Sequence, residues 1–175
     1  MTKPLYHTIK KKGTTAASLR GAPYLCTCNP WLGVGYYFWD TFIDLAHWWG
    51  ETHCHGRYII TQTDCRLGDG EVFDLVGNTE HIKVFADYVE MLEKKTGEEA
   101  TVPQVIEHMK RHTKFLDRYK AIRADGRLSI SSSSPYTFRV KFSQDKSQFI
   151  DLLPPIQYCI VNRSDALPLA VAFES

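Results

Sequence analysis

The sequence lacks the features of a membrane or exported protein. No stretch approaches the roughly 18 consecutive apolar residues that a membrane-spanning helix needs. The first residues, MTKPLYHTIKKKG, have no apolar core of a secretory signal. Its five cysteines are an odd number, which favours reduced thiols when no export signal precedes them. We therefore expect a cytoplasmic protein that does not engage a membrane.

The chain also lacks an excess of charge of either sign. It has 21 Lys and Arg against 20 Asp and Glu, a formal net charge of +1. No global field draws it to nucleic acid, so any contact with a polyanion has to come from a local basic patch. The aromatic fraction, 13%, is high, and aromatic side chains both fill cores and form walls for planar ligands. The length of 175 residues favours a single domain, 1–175.

The order of patterns along the chain is strands, then helices, then strands. Apolar residues at helical spacing predict an amphipathic helix over 79–95, ended by Gly97, and a second over 101–119, with Thr101 as cap and Pro103 in the first turn. A shorter helix is expected over 41–49, capped by Thr41 or Asp40. Strands are predicted at 5–9, 35–39, 57–63, 72–76, 136–142, 147–152, 156–162 and 167–173. Loop is expected over 13–35, and a turn-rich joint over 129–134.

These patterns predict an α+β fold, in which a helical segment at about 79–120 packs beside an antiparallel sheet. The most informative block is WLGVGYYFWDTFIDLAHWW, residues 31–49. Gly33 and Gly35 allow a tight turn and a close approach of the backbone to a ligand. Tyr37 and Trp48 are placed either to sandwich a flat ring or simply to fill the core.

This block resembles the signature of poly(ADP-ribose) polymerases and related diphtheria-toxin-type ADP-ribosyltransferases, a Gly-x-Gly-x-Tyr-Phe-x-Asp strand and turn followed by a helix with a second aromatic. The chain matches it over a short stretch, at Gly33, Gly35, Tyr37, Phe38, Asp40, Ala46 and Trp48. Upstream, Tyr6, His7 and Thr8 are similar to the family's first strand with its histidine. The resemblance covers about residues 5–50 and is thin elsewhere, and it implies an antiparallel split sheet of the ADP-ribosyltransferase type.

The resemblance implies a role for each matching residue in binding NAD. His7 would bond a ribose hydroxyl, and the backbone of Thr8 would clamp the nicotinamide amide. Tyr37 and Trp48 would cover the two faces of the nicotinamide ring, with Gly35 beside them in the cofactor site. We therefore expect Tyr37 and Trp48 to flank one cavity whose floor includes His7. The alternative for His7 is a half-buried strand histidine with satisfied ring nitrogens.

The chain departs from the family pattern at two positions. Leu45 stands where many members have a serine that bonds the nicotinamide amide, so one ligand hydrogen bond, worth about 1 kcal/mol, is missing. Gln157 stands where the family has its catalytic glutamate on a late strand; otherwise it is a polar residue at a strand end. Glu71, Asp74 and Glu174 are other acidic candidates in less similar contexts.

An amide at position 157 changes the expected chemistry. Its oxygen accepts a ribose hydroxyl but carries no charge, and the loss of about 1–2 kcal/mol corresponds to roughly ten-fold in rate. The substitution argues against polymer synthesis, in which a general base must activate a sugar hydroxyl. His7, Tyr37 and Gln157 are thus the predicted catalytic set.

Other patterns permit more than one interpretation. The cysteines and histidines over 26–65 lack the spacing of a zinc ribbon or finger, so no metal is expected. A basic cluster, Lys10, Lys11 and Lys12 with Arg20, is a solvated loop, a contact for the NAD pyrophosphate, or a contact for a nucleic-acid acceptor. The basic face of 101–119 is either solvated or binds the acceptor.

The sequence thus predicts a mono-ADP-ribosyltransferase-type enzyme that uses NAD as substrate and modifies a protein, RNA or DNA acceptor. By analogy alone, such an enzyme suits a toxin or phage-defence role, with an antitoxin as a further partner. Two alternatives remain: a module that binds NAD or ADP-ribose without turnover, and a partner-binding or structural protein whose aromatics are only core.

Overall fold

The computed structural model describes residues 3–126 and 134–175. Two short 3₁₀ helices, Asp69–Glu71 and Arg163–Ala166, accompany the main elements. In chain order these are β1 (Lys3–Lys10), α1 (Thr15–Leu19), β2 (Tyr36–Asp40), α2 (Ile43–His53), β3 (Tyr58–Cys65), β4 (Val72–Asp74), α3 (Thr79–Thr96), α4 (Val102–His112), α5 (Phe115–Arg118), β5 (Ala121–Asp125), β6 (Arg139–Lys141), β7 (Phe149–Asp151), β8 (Ile156–Ile160) and β9 (Ala170–Glu174).

The fold combines a mostly antiparallel sheet with helices. Seven strands form the sheet in the order β4-β5-β8-β2-β1-β3-β9, and β6 and β7 form a separate two-stranded sheet. All pairs in the large sheet are antiparallel except β4 with β5. The α+β class and the helical segment at about 79–120 are therefore confirmed. Within the described residues, no helix is both long and apolar enough to cross a membrane.

The two predicted long helices are confirmed in position, but the second is interrupted. Helix α3 begins after Asn78, whose side chain accepts from two backbone N–H groups, and ends at Gly97 with a φ of 74°. The predicted helix 101–119 stops at His112. Thr113 is the C-cap of α4, and its hydroxyl donates to the Met109 carbonyl and accepts from the Phe115 N–H.

The predicted cap of the helix after β2 is wrong. Helix α2 begins at Ile43 with Phe42 at its N-cap position, and no side chain caps it. Thr41 has a φ of 65°. The Asp40 carboxylate is buried and bonds the Arg123 guanidinium instead, with an Nε–Oδ2 distance of 2.8 Å.

Other boundaries differ modestly from the sequence predictions. The expected loop 13–35 contains the short helix α1, which begins after Thr14 because the Thr14 hydroxyl accepts from the Ala17 N–H. Strand β4 ends at Asp74, because the Asp74 carboxylate accepts hydrogen bonds from the N–H groups of Val76 and Gly77, which follow it. Most of the predicted joint 129–134 lies outside the described residues.

Helices cover the sheet in two places. Helices α3 and α4 pack over β4, β5 and β8 in a core whose main members are Phe73, Val105, Ile106, Ile122 and Cys159. Helix α2 packs over β1, β2 and β3 through Leu45 and Ala46, against Trp39 and Ile60. A third core of Leu5, Phe38, Tyr158, Ile160 and Ala166 includes the second 3₁₀ helix.

A partly buried ion network links four strands of the sheet. Arg123 on β5 bonds Asp40 on β2 and Asp74 on β4, and Lys3 on β1 lies 3.4 Å from Asp40. Burial alone would raise the pKa of the Asp74 carboxyl, but the N–H groups of Val76 and Gly77 together with Arg123 lower it below its ordinary value. The network therefore keeps its charges paired in a poorly solvated place.

Gly35 sets the spacing between β2 and β8. A Cβ at this position would lie 2.4 Å from the Cys159 Sγ and 2.9 Å from the Ile160 carbonyl oxygen. We expect Gly35→Ala to destabilise the fold by about 1–3 kcal/mol, because two strands must separate to admit a methyl group. Denaturant unfolding measures this change.

The matched control is Gly70→Ala. A Cβ at Gly70 would meet no atom within 4 Å, so this variant should keep nearly the stability of the original protein. Equal stability of both variants would contradict the close approach at Gly35.

Candidate functional site

The His7 imidazole joins two strands and a loop through main-chain contacts. Its Nδ1 lies 2.7 Å from the Tyr37 carbonyl oxygen, and its Nε2 accepts the Tyr24 N–H at 3.2 Å. Because Nε2 accepts a hydrogen bond, the neutral ring carries its proton on Nδ1, and this N–H donates to the Tyr37 carbonyl. Burial lowers the pKa of His7 below its ordinary value, and the hydrogen bond to Tyr37 opposes this only in part.

The β1–β2 ladder is short at this point. Only Leu5 with Asp40 and Tyr6 with Trp39 are paired between these strands. Closer to the start of β2, the Tyr37 carbonyl accepts a hydrogen bond from the His7 ring. A side chain thus replaces main-chain pairing where the ladder stops.

The Tyr37 hydroxyl is held by the turn that precedes its own strand. It donates to the Gly33 carbonyl at 2.9 Å and accepts the Leu32 N–H at 2.7 Å. Gly33 has a φ of 81°, a conformation that favours glycine. Burial, followed by the effect of Cys159, raises the pKa of the Tyr37 phenol.

Gln157 lies on β8, directly opposite Trp39 of β2. Its Oε1 accepts the indole N–H of Trp31 at 2.9 Å. This bond fixes the orientation of the amide, so that the amide nitrogen keeps both of its protons for other partners. Gln157 is half-buried, and its side chain is therefore ordered and still partly accessible.

One segment contacts all three predicted catalytic residues. Residues 20–35 supply Tyr24 to His7, Leu32 and Gly33 to Tyr37, and Trp31 to Gln157. This segment leads from α1 into β2, and a bridge pairs two of its own residues, Cys26 and Gly35. We call residues 20–35 the cover segment.

The prediction that Tyr37 and Trp48 flank one cavity with His7 in its floor is wrong. Residues paired across strands share a face, and neighbours along a strand alternate. Leu5 pairs with Asp40, so His7 and Phe38 share one face, and their rings lie 5.3 Å apart. Tyr37 therefore points to the opposite face, where it packs with the α3–α4 core.

Trp48 does not face Tyr37 across a cavity either. Its ring contacts Trp39 at 6.1 Å and Trp49 at 6.1 Å, within the core beneath α2. The sequence does not contain the register that decides the faces of these residues.

The other predicted ligand-binding residues occupy varied environments. The Thr8 hydroxyl donates to the Ala46 carbonyl at 2.8 Å, which ties β1 to α2. Leu45, at the position of the family's serine, is fully buried and serves the core. Gly35 is in close contact with Cys159. Arg20 is exposed at the end of α1.

Two clefts lie away from these residues. One of about 550 Å³ is lined by residues that include Lys3, Asp74, Arg123 and Tyr158. Another, of about 330 Å³, lies between α3 and α4 and includes His108 and His112. Neither contains a member of the predicted catalytic set. Across 3–126 and 134–175, no three His, Cys, Asp or Glu side chains form a group that could hold a metal ion.

Sequence reasoning missed the contacts that organise the site. The Trp31–Gln157 bond joins residues 126 positions apart. The Tyr24–His7 bond uses a main-chain N–H, which no side-chain motif in the sequence indicates. The only available signal was a tryptophan in a Gly- and Pro-rich segment, where an indole N–H needs a partner if it is buried.

No family model, curated protein or solved structure matches the chain.

The His7 bonds predict a pH-dependent stability. The neutral form is favoured in the folded state, so this contribution is complete above the ordinary pKa of 6.5 and is lost as the pH falls below it toward the lower folded pKa. Each unit of lowering corresponds to about 1.4 kcal/mol. Protonation would place a second proton on Nε2, against the Tyr24 N–H.

We expect the melting temperature to fall more between about pH 7.5 and pH 5 for the original protein than for His7→Gln, since glutamine does not titrate in this range. Thermal unfolding by circular dichroism measures both. Parallel curves would show that His7 does not carry the effect.

Proposed function

We propose that the protein cleaves NAD and transfers ADP-ribose to a macromolecular acceptor, as a mono-ADP-ribosyltransferase with an antiparallel split sheet. One observation carries the proposal. The residues that resemble the family's catalytic set lie on three adjacent strands, β1, β2 and β8, at the place where β1–β2 pairing stops. The His7 ring reaches the main chain of Tyr37 there.

The ligand has to enter between strands and not over one face. Since His7 and Tyr37 point to opposite faces, a nicotinamide riboside can meet both only where β1 and β2 separate. The cover segment must then release the Nε2 of His7. Each hydrogen bond that opens costs about 0.5–1.5 kcal/mol, and NAD binding has to offset that cost.

The tautomer of His7 suits the proposed role. With Nδ1–H retained on the Tyr37 carbonyl, a released Nε2 is an acceptor for a ribose hydroxyl. Such a bond orients the ribose, and correct positioning is worth large factors in rate.

Bond cleavage sends the electron pair of the nicotinamide–ribose bond to the ring nitrogen, and neutral nicotinamide leaves. The ribose carbon becomes cation-like and is captured by an acceptor nucleophile, which loses its proton. Gln157 would accept a ribose hydroxyl through its oxygen once that oxygen is free or shared with Trp31. Its lack of charge keeps the reaction slower than with a carboxylate.

The decisive experiment is incubation with NAD labelled in the adenylate phosphate, together with whole-cell lysate. Separate protease and nuclease digestion then identifies the labelled product. Release of label by protease or by nuclease supports transfer and names the acceptor class. Unlabelled macromolecules together with unchanged NAD would exclude the enzyme. An antitoxin partner and a toxin or phage-defence role belong to the same proposal by analogy alone.

We expect His7→Ala to lose most NAD turnover, because the ribose loses its orienting bond. Nicotinamide release by the folded variant measures this loss. His53→Ala is the matched control, since His53 is exposed at the end of α2. Unchanged turnover in folded His7→Ala would remove His7 from the mechanism.

We expect Gln157→Glu to raise NAD cleavage by about ten-fold, because a carboxylate stabilises the cation-like ribose. It should also shift the balance toward hydrolysis, since a carboxylate activates water. Gln157→Ala should lower turnover. Steady-state nicotinamide release measures all three proteins.

The matched control for the added charge is Gln62→Glu on β3, which lies outside the predicted catalytic set. An equal gain in Gln62→Glu, or no change in either Gln157 variant, would show that Gln157 does not act on the ribose.

A second function is favoured by one observation. Both ring nitrogens of His7, the Tyr37 hydroxyl and the Gln157 oxygen all have protein partners. A closed site of this kind, without the family's glutamate and serine, suits a module that binds NAD or ADP-ribose without turnover. Calorimetric binding of NAD with no nicotinamide release would support it, and turnover by Gln157→Glu alone would identify a decayed enzyme.

A further inference from the structure

Four cationic residues lie, by the positions of their main chains, at one end of the β1–β3 ladder. Lys10 pairs with Tyr58 at the last position of the ladder, and the next N–H, that of Lys11, donates to the carbonyl of Arg57. The main chain of Lys12 makes two bonds with the Ser18 hydroxyl of α1, and Arg20 ends that helix. We call Lys10, Lys12, Arg20 and Arg57 the basic rim.

The basic rim is exposed and unneutralised. All four side chains are exposed, and across 3–126 and 134–175 none of them forms an ion pair. The nearby carboxylate of Glu174 is engaged by Lys11 and by the Thr15 hydroxyl. In a chain of net charge +1, such a cluster concentrates positive potential on one part of the surface.

An exposed aromatic ring lies between the basic rim and His7. Tyr24 is 47% exposed, and its hydroxyl donates to the Ser18 carbonyl of α1. Its ring lies against Gly21, where a Cβ would come within 3.0 Å of it. The same residue's N–H bonds the His7 ring. Cations for phosphates and a flat ring for a base therefore occur at the same end of the sheet, next to His7.

We propose that the basic rim and Tyr24 bind single-stranded nucleic acid, which is the acceptor of the reaction. Proteins that hold single strands combine cations along the phosphate backbone with aromatic rings on which bases stack. The four cations exceed what the two negative charges of one NAD pyrophosphate require. The binding surface stands on its own geometry, whereas the acceptor role rests on the proposed function.

The experiment measures binding of a fluorescein-labelled single-stranded oligonucleotide of mixed sequence, by anisotropy, without NAD. If all four cations contact phosphates, the logarithm of the binding constant should fall with the logarithm of salt concentration with a slope of about −2.8. That corresponds to roughly fifty-fold weaker binding between about 50 and 200 mM salt. K10Q/K12Q should halve the slope.

The matched control is K83Q/K94Q, which removes two exposed lysines from α3 and should leave the slope unchanged. Y24A should weaken binding by roughly ten-fold, and Y24F should retain it, since phenylalanine keeps the stacking face. Poly-glutamate should compete poorly.

Absence of oligonucleotide binding, equal losses in both lysine pairs, or equal affinity for poly-glutamate would overturn the proposal. Addition of labelled NAD then tests the acceptor role. Transfer of label to the oligonucleotide supports it, and turnover with label only on protein overturns it. If oligonucleotide binding follows the predicted pattern but no NAD is cleaved, the surface stands and the proposed function fails.

Discussion

The site depends on a single imidazole that takes the place of strand pairing. The His7 ring donates to the main chain of β2 and accepts from the main chain of the cover segment, so it fixes three parts of the chain with one neutral tautomer. The same segment makes two further main-chain bonds with the Tyr37 hydroxyl, and its Trp31 indole bonds Gln157. The protein thus builds its site from contacts between side chains and backbone.

The ion network and the glycine at the start of β2 hold the frame in which this site sits. Asp40 ties the end of β2 to β5 through Arg123, and Gly35 lets the beginning of β2 approach β8 closely. Between these two fixed ends lie Tyr37 and Trp39, opposite Cys159 and Gln157. The cover segment beside this strand is held by hydrogen bonds and also by Leu32 and Ala22, which are buried in two of the cores.

Local signals predicted helix α3 and the start of α4, and long-range partners account for much of what sequence reasoning missed. Helix α3 follows from its apolar period, with Asn78 and Gly97 at its ends. The start of α2 was predicted wrongly because the Asp40 carboxylate bonds Arg123, 83 residues later. A carboxylate engaged in this way does not cap the helix. The cavity prediction failed because the faces of His7 and Tyr37 are set by the β1–β2 register, which no pattern within either strand contains. The cover segment was predicted as a loop, but its bonds to distant residues carry no local signature.

The contact between Gly35 and Cys159 also limits which substitutions the protein tolerates at these two positions. Gly35 has no side chain to shorten, so a larger side chain at position 159 cannot be compensated by a smaller residue at position 35. Cys159 is fully buried, and its Sγ would already lie 2.4 Å from a Cβ at Gly35. Position 159 therefore tolerates only side chains about as large as cysteine or smaller. Alanine or serine would be tolerated, whereas valine would not.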